Sequence, residues 1–339
     1  ATAAPEATAA PEATAAPEAT AAPEGSAKSG EFHGAFPYQV PPTGHWNSFA
    51  PDGIPNGVSI YWDLLEEPLA RYKWASNDWM PLMATKWEVQ APDKFIVTLR
   101  DAKWSDGSAF TSKDVVTTFD IGRLFNWTVF NYVDTVTATD DHTVEFHMSK
   151  PSTLVARLVL VTQIRSAATY GAIGEKVAGL VSGGKTKDSD EWKAVLQEAS
   201  EFRPDGLVVS GPYNIDPASI TEASLTMHTV PTAWNADKVQ FGTIVLYNGE
   251  TPTVTPLVLS GDIDYATHGF PPATEQEYLA QGIRIIRAPT YSGPALYFNH
   301  DDELLKMKEV RQAMAYSIKR DEAGSVALGD SGVAHKYMV

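Results

Sequence analysis

The stretch KWEVQAPDKFIVTLRDAKWSDGSAFTSKDVVTTFD, residues 86–120, decides the fold class. Val89 begins one extended run, Ala91-Pro92-Asp93-Lys94 supplies turn formers, and Phe95, Val97 and Leu99 then alternate with polar neighbours. Alternation at period two places one strand face on a core, so the spacing predicts a hairpin. Asp106-Gly107 is a second turn signal. Thr111 then stands as an N-cap, with Asp114 three residues on, where a carboxylate meets the free amides and positive end of a helix. A helix over 112–125 is predicted to follow.

Working outward, a second strand pair is predicted at 133–148. Thr135, Thr137 and Thr139, then Val144, Phe146 and Met148, each keep period two around Asp140-Asp141. Residues 150–204 read as mostly helical, interrupted at Gly183-Gly184. Further strands are predicted at 207–215, 224–230 and 242–248. A helix over 253–261 closed by Gly261, a strand within 263–269 and a helix over 307–321 complete the pattern. Strands and helices alternate and hairpins intervene, which predicts α/β lobes with mixed sheets rather than a bundle or sandwich.

The chain of 339 residues opens with ATAAPE repeated four times over residues 1–24, followed by GSAKSG. Recurrent proline and small side chains cannot bury enough surface to offset ordering entropy, so residues 1–30 read as an extended spacer or linker. The formal net charge is −16, and only part of it, Glu6, Glu12, Glu18 and Glu24, belongs to the repeats. An acidic body repels phosphate backbones, which argues against nucleic-acid binding. No apolar run reaches the roughly 18–20 residues that span a bilayer. Without cysteine there is neither a thiolate nucleophile nor a Cys-based zinc site.

Motifs for catalysis are missing: no Gly-x-Ser-x-Gly, His-Glu-x-x-His, P-loop or dinucleotide fingerprint occurs. Glu145 and His147 share strand parity but His142 lies opposite, so these three do not converge on a metal. The acidic pairs Glu66-Glu67 and Asp301-Asp302 read as solvated surface. Aromatics are more informative. Trp46, Trp62, Trp79 and Trp127 sit beside Asn or Asp, offering a stacking face together with hydrogen-bonding groups. Trp87 and Trp104 fall inside the hairpin pattern and are assigned to packing.

Four stretches resemble the family 5 extracellular solute-binding proteins of bacterial ABC transporters. They are LRDAKWSDGSAFTSKDVVTTFD (99–120), VSGPYNI (209–215), the region from Ala233 through Leu259, Gly261, Asp262, Ile263 and Asp264, and ALYFNHDDELLKMKEVRQAMAYSIKRDE (295–322). Lys319 departs from the family pattern, which there has Asp. The resemblance implies a two-lobed, type II periplasmic-binding-protein-like α/β fold with an extra domain. Residues 31–65 plus 205–290 would form lobe one, 66–204 the extra domain, and 291–339 the start of a lobe two that the chain truncates. It implies a non-enzymatic, monomeric, extracytoplasmic subunit without cofactor. Such a subunit would capture an oligopeptide between lobes and deliver it to an ABC permease and its ATPase, held at the membrane only through an upstream lipid anchor. A β-linked oligosaccharide is the alternative ligand; a glycan-active enzyme and a cell-surface interaction module are the alternatives of another class. The matched motifs are expected to be scaffold, with ligand contacts from Trp46, Asn47, Tyr61, Trp62, Tyr291, Phe298 and Asn299. Alanine at Trp46 or Trp62 is expected to weaken binding with little loss of stability.

Overall fold

The computed structural model describes residues 30–36, 44–286 and 296–328. The repeats of the spacer lie outside these, as does Tyr291. In chain order the elements are β1 (Glu31–Phe36), α1 (Ile54–Gly57), a 3-10 turn (Ser59–Leu64), β2 (Ala70–Lys73), β3 (Asp78–Pro81), β4 (Ala84–Gln90), β5 (Lys94–Leu99) and α2 (Ser112–Leu124). Then come β6 (Val133–Asp140), β7 (Thr143–Met148), α3 (Leu154–Leu160), α4 (Ala167–Ser182), α5 (Asp190–Glu201) and β8 (Tyr213–Ile215). β9 (Ser224–Thr229), β10 (Thr243–Asn248), α6 (Thr251–Leu259), β11 (Tyr265–Ala266), α7 (Pro272–Ala280), α8 (Lys308–Ser317) and α9 (Arg320–Leu328) follow.

The predicted hairpin and capped helix are present. Ala91 takes a left-handed φ of 57° at the β4–β5 turn, and β5 pairs with β7 so that Phe95 faces Phe146 and Val97 faces Val144. These four side chains bury against Val115 and Phe119 of α2, with Trp104 fully enclosed beside them and Trp87 half-buried on the same cluster. Fully burying a residue of this size contributes about 1.5–3 kcal/mol, so this one sheet face supplies much of the local stability. The resulting sheet is antiparallel in the order β4-β5-β7-β6.

A second, five-stranded sheet has the order β11-β1-β10-β9-β8. β1 lies between β10 and β11, parallel to both, while β9 is antiparallel to β10 and β8 to β9. The mixture of parallel and antiparallel pairs is the expected one. Phe36, Leu225, Met227, Ile244 and Leu246 bury on this sheet together with Tyr61 and Leu65. A smaller cluster, including Ile121, Tyr170, Ile173, Val177 and Trp192, joins α2, α4 and α5.

Three elements differ from expectation. The strand expected at 207–215 is paired in the sheet only at Tyr213–Ile215. Its first half is committed elsewhere. Val209 exchanges hydrogen bonds with Ser105, its carbonyl accepting at 2.9 Å and its amide donating to Ser105 Oγ at 3.1 Å. Gly211 donates to the Leu65 carbonyl at 2.8 Å, and a Cβ there would lie 2.3 Å from Leu64 O, so the backbone contact requires glycine. The strand within 263–269 shrinks to Tyr265–Ala266. The helix expected over 307–321 divides into α8 and α9 because Ile318 is extended, with φ −87° and ψ 115°.

Asp114 does more than cap its own helix. One carboxylate oxygen accepts from the Thr111 amide at 2.7 Å, and the other accepts from the amide of Ala167, the first residue of α4, at 2.7 Å. One buried carboxylate therefore fixes the N-termini of two helices. Burial pushes its pKa up and these amides pull it back. Asp114→Ala is expected to lower stability by about 2–3 kcal/mol, the sum of a lost cap and an amide left unsatisfied. Urea unfolding measures this, and a loss below about 0.5 kcal/mol would show that the two amides find other partners.

Candidate ligand-binding site

The 3-10 turn Ser59–Leu64 delivers Trp62 and Asp63 to one side of the molecule, where residues 161–166 and the loop after α2 meet it. Asp63 is the local tie. It accepts from Arg71 Nε at 3.0 Å and Nη2 at 2.7 Å, and from Gln163 Nε2 at 2.8 Å. Behind it lies a buried charge pair. Glu66 is 1% exposed; its Oε1 accepts from Ser48 Oγ at 2.7 Å and its Oε2 from Trp62 Nε1 at 2.6 Å. Arg165, 3% exposed, approaches that same oxygen at 3.7 Å, too far for a hydrogen bond but close enough for a strong charge interaction.

The guanidinium is enclosed by rings, with Phe49, Trp62 and Trp127 centroids at 4.9, 5.0 and 5.7 Å. Such faces attract a cation by their quadrupole. Burial pushes the Glu66 carboxyl up and the Arg165 guanidinium down; each charge opposes the other's shift, and the Ser48 and Trp62 hydrogen bonds also pull Glu66 back. Arg165 also donates from its backbone to Thr118 Oγ1 at 2.9 Å, and that hydroxyl donates to the Asp114 carbonyl at 2.8 Å, so the pair is anchored to α2.

Above the pair is an open depression of about 530 Å³, lined by Trp62, Asn126, Trp127, Thr128, Val129, Leu158, Val161, Thr162, Gln163 and Arg165. Its walls are indole faces and aliphatic chains, its polar groups amides and hydroxyls, and, among the described residues, its one charged side chain is the arginine. That combination suits an amphipathic solute. Trp127 is placed by glycine: a Cβ on Gly122 would lie 2.1 Å from the indole, so only glycine lets the ring seat on α2. Asn126, with φ 58°, supplies the left-handed turn that swings Trp127 there.

A second acid, Glu67, is buried nearby at 3% exposure. It accepts from the Trp234 indole N–H and from Asn235 Nδ2, the latter at 2.9 Å. The Trp234 ring is in turn covered by Arg100 at 3.4 Å and Lys238 at 4.9 Å. Burial pushes Glu67 up to about 7, against the Trp234 and Asn235 hydrogen bonds and the charges of Arg100 and Arg71. The reading of Glu66-Glu67 as solvated surface is therefore corrected. Both are interior because Leu64, Leu65 and Leu69 bracket them, and dedicated donors meet each carboxylate. That apolar bracket was the available signal.

The family model for the bacterial extracellular solute-binding proteins, family 5 middle, matches residues 78–339. The chain belongs to this family. Its members bind solutes and are not enzymes. The periplasmic oligopeptide-binding protein of an oligopeptide ABC transporter from Thermotoga maritima, solved with mannohexaose bound, matches with a TM-score of 0.68 at 23% identity, covering 90% of this chain and 54% of that one. Burkholderia pseudomallei OppA matches at 0.61 and 22%, over 89% and 58%. NikZ from Campylobacter jejuni in complex with Ni(L-His) matches at 0.60 and 16%, over 87% and 54%. These likenesses show the shared mixed α/β fold, and the chain spans little more than half the length of each relative. A comparison with curated proteins found no match. Among the described residues no helix is long and apolar enough to cross a membrane.

Of the described residues expected at the ligand, only Trp62 lines the depression. Trp46 is half-buried against the five-stranded sheet's core, and Tyr61 is enclosed there with its hydroxyl against Gly34. Asn47 is buried; its amide donates to the Ala199 carbonyl at 2.8 Å and so binds the end of α5. Phe298 is half-buried and Asn299 exposed in the segment before α8, with Asn299 Oδ1 accepting from the Asp301 amide at 3.0 Å. Tyr291 lies outside the described residues. Trp127 was singled out as a polar-flanked aromatic without being placed in the site; Arg165 and Gln163 carried no sequence signal. Trp62 also has a structural duty to Glu66, so alanine there is expected to lower stability as well as binding, contrary to the sequence expectation.

Two tests follow from this geometry. Gly122→Ala raises helix propensity, which alone would stabilise α2 by up to about 1 kcal/mol. Displacement of Trp127 is expected to outweigh this, with net destabilisation of about 1–3 kcal/mol and a shift of tryptophan fluorescence. For Glu67, a carboxyl raised from 4.5 to about 7 contributes stability that is complete below pH 4.5 and is lost as pH rises through 7. The Tm difference between wild type and Glu67→Gln is therefore expected to move in the variant's favour between those pH values. A difference that stays flat would show that Glu67 titrates normally.

Proposed function

We propose that this chain is the capturing subunit of an ABC importer, taking an oligopeptide into a cleft of which the Trp62–Trp127–Arg165 depression is one wall. The observation that carries this reading is the depression itself: aromatic walls, amide and hydroxyl groups and, among the described residues, one cation and no acid on its lining. Peptides present apolar side chains, carbonyls and a terminal carboxylate to such a surface. In this reading residues 31–65 with 205–290 form lobe one, 66–204 the extra domain, and 291–339 begin lobe two. The depression then draws on both earlier units, Trp62 from one and residues 126–165 from the other. Delivery goes to a membrane permease and its ATPase outside the cytoplasm, with an upstream lipid anchor tethering the spacer.

A β-linked oligosaccharide is the second reading, favoured by the paired indoles of Trp62 and Trp127, since sugar faces stack on indole. Thermal unfolding against short peptides and against cello-, xylo- and manno-oligosaccharides separates the two. A ligand specific to the folded state stabilises by about 2.7 kcal/mol at a hundredfold excess over its Kd. A Tm shift with peptides supports the first reading, and a shift with sugars alone replaces it with the second. Trp127→Phe, which shortens one wall, is expected to weaken the active ligand by about tenfold. Unchanged affinity in that variant would move the site elsewhere.

A further inference from the structure

Glu67 is an interior acid of a different kind from its neighbour. Glu66 faces the Arg165 guanidinium. Among the described residues, the side-chain donors that reach the Glu67 carboxylate are both neutral: the Trp234 indole N–H to Oε2 and Asn235 Nδ2 to Oε1. The cations around it are committed elsewhere. Arg71 of β2 donates to Asp63, Arg100 after β5 donates to the Leu82 carbonyl, and Arg100 and Lys238 both lie over the Trp234 ring. Arg100 and Arg71 act on Glu67 through charge alone.

Asn235 carries a second observation. While its Nδ2 serves Glu67, its Oδ1 is buried without a hydrogen-bond partner. A buried acceptor left without a donor forfeits its hydration for nothing. A proton on Glu67 gives that oxygen a use. The indole N–H occupies Oε2, so a proton taken from solvent sits on Oε1, where it meets an N–H of Asn235 and two donors collide. Half a turn of the amide puts Oδ1 where Nδ2 stood, and Oε1–H then donates to it. Carboxylate and acid therefore each have a bonded arrangement. They differ by one amide reversal and by the loss of charge assistance at both bonds.

The backbone of Glu67 extends this junction to the depression. Its amide donates to Ser210 Oγ at 3.0 Å, and its carbonyl accepts from the Ile164 amide at 3.3 Å. Ile164 stands between Gln163 and Arg165, which both line the depression, and the preceding Glu66 holds Trp62 there.

We propose that Glu67 and Asn235 form a proton-operated switch on the depression: the ionised form ties its wall to residues 234–235 by two charge-assisted bonds, and protonation reverses the Asn235 amide and loosens that wall. Relief of a buried charge offsets the weaker bonds, so the fold persists in acid and the change is local. The consequence for capture, weaker holding of solute in acid, rests on the reading of the depression given above; the switch itself operates without solute.

Selective 15N labelling of the nine tryptophans tests this in the solute-free protein, with Trp234→Phe and Trp62→Phe identifying two of the indole N–H signals. As pH falls through about 7, the Trp234 signal is expected to move upfield from a strongly hydrogen-bonded position, and the Trp62 signal to move with the same midpoint. Glu67→Gln presents a carbonyl to Trp234 and an N–H to Asn235 Oδ1, and is expected to hold both signals near their acid positions at every pH. A Trp234 signal that stays flat across pH 7 would overturn the proposal. So would a Trp62 signal that stays still while Trp234 moves, or one that still moves in Glu67→Gln and therefore follows Glu66. A flat titration beside a solute-induced Tm shift discards the switch and keeps the reading of the depression.

Discussion

The ion pair between Glu66 and Arg165 is the constraint around which this structure is arranged. Removing two charges from water costs several kcal/mol each, and their attraction offsets that only with further partners in place. Here those partners come from separate parts of the chain: Ser48 and Trp62 to the acid, the Gln163 carbonyl and three aromatic rings to the base. Loss of either member would strand the other charge in the interior, at about 3–5 kcal/mol. The segment from His45 to Glu67 is thereby held against the segment that leads into α4. Everything that lines the depression hangs on one of those two segments or on α2 beneath them.

Local patterning was sufficient for the elements whose partners are near in sequence. The β4–β5 hairpin, the capped helix α2 and the β6–β7 pair could be read because alternation, turn residues and a Thr–Asp cap all act within a few positions. Residues 207–212 could not, since nothing local records that Ser105 and Leu65 claim their backbone groups. The break at Ile318 was equally hidden, because the helical period continues across it in side-chain type.

The site shows the same division. Trp62 was legible as an aromatic flanked by a carboxylate. Arg165 was not, for an arginine in a run such as Gln163-Ile164-Arg165-Ser166 looks like surface until Glu66 and three rings arrive from elsewhere in the chain. Glu66 and Glu67 failed in the opposite sense. Composition makes an acidic pair look solvated, and only their leucine neighbours argue otherwise. Asn47 and Tyr61 resemble ligand contacts in type, yet their polar atoms face α5 and the backbone of β1.

The position of β1 has a consequence in time as well as space. It is an interior strand of its sheet, sealed by parallel neighbours at residues 243–248 and 265–266. Its hydrogen bonds therefore close only with partners far along the sequence, Glu31 with Thr243 and Gly34 with Tyr265. The four-stranded antiparallel sheet needs only residues 84–148, all contiguous. Loop closure over so long a separation is slow, and pairing among near neighbours is fast. During biogenesis the unit bearing α2 would consolidate first and serve as a template, while β1 waited as an unpaired edge in need of protection from other chains.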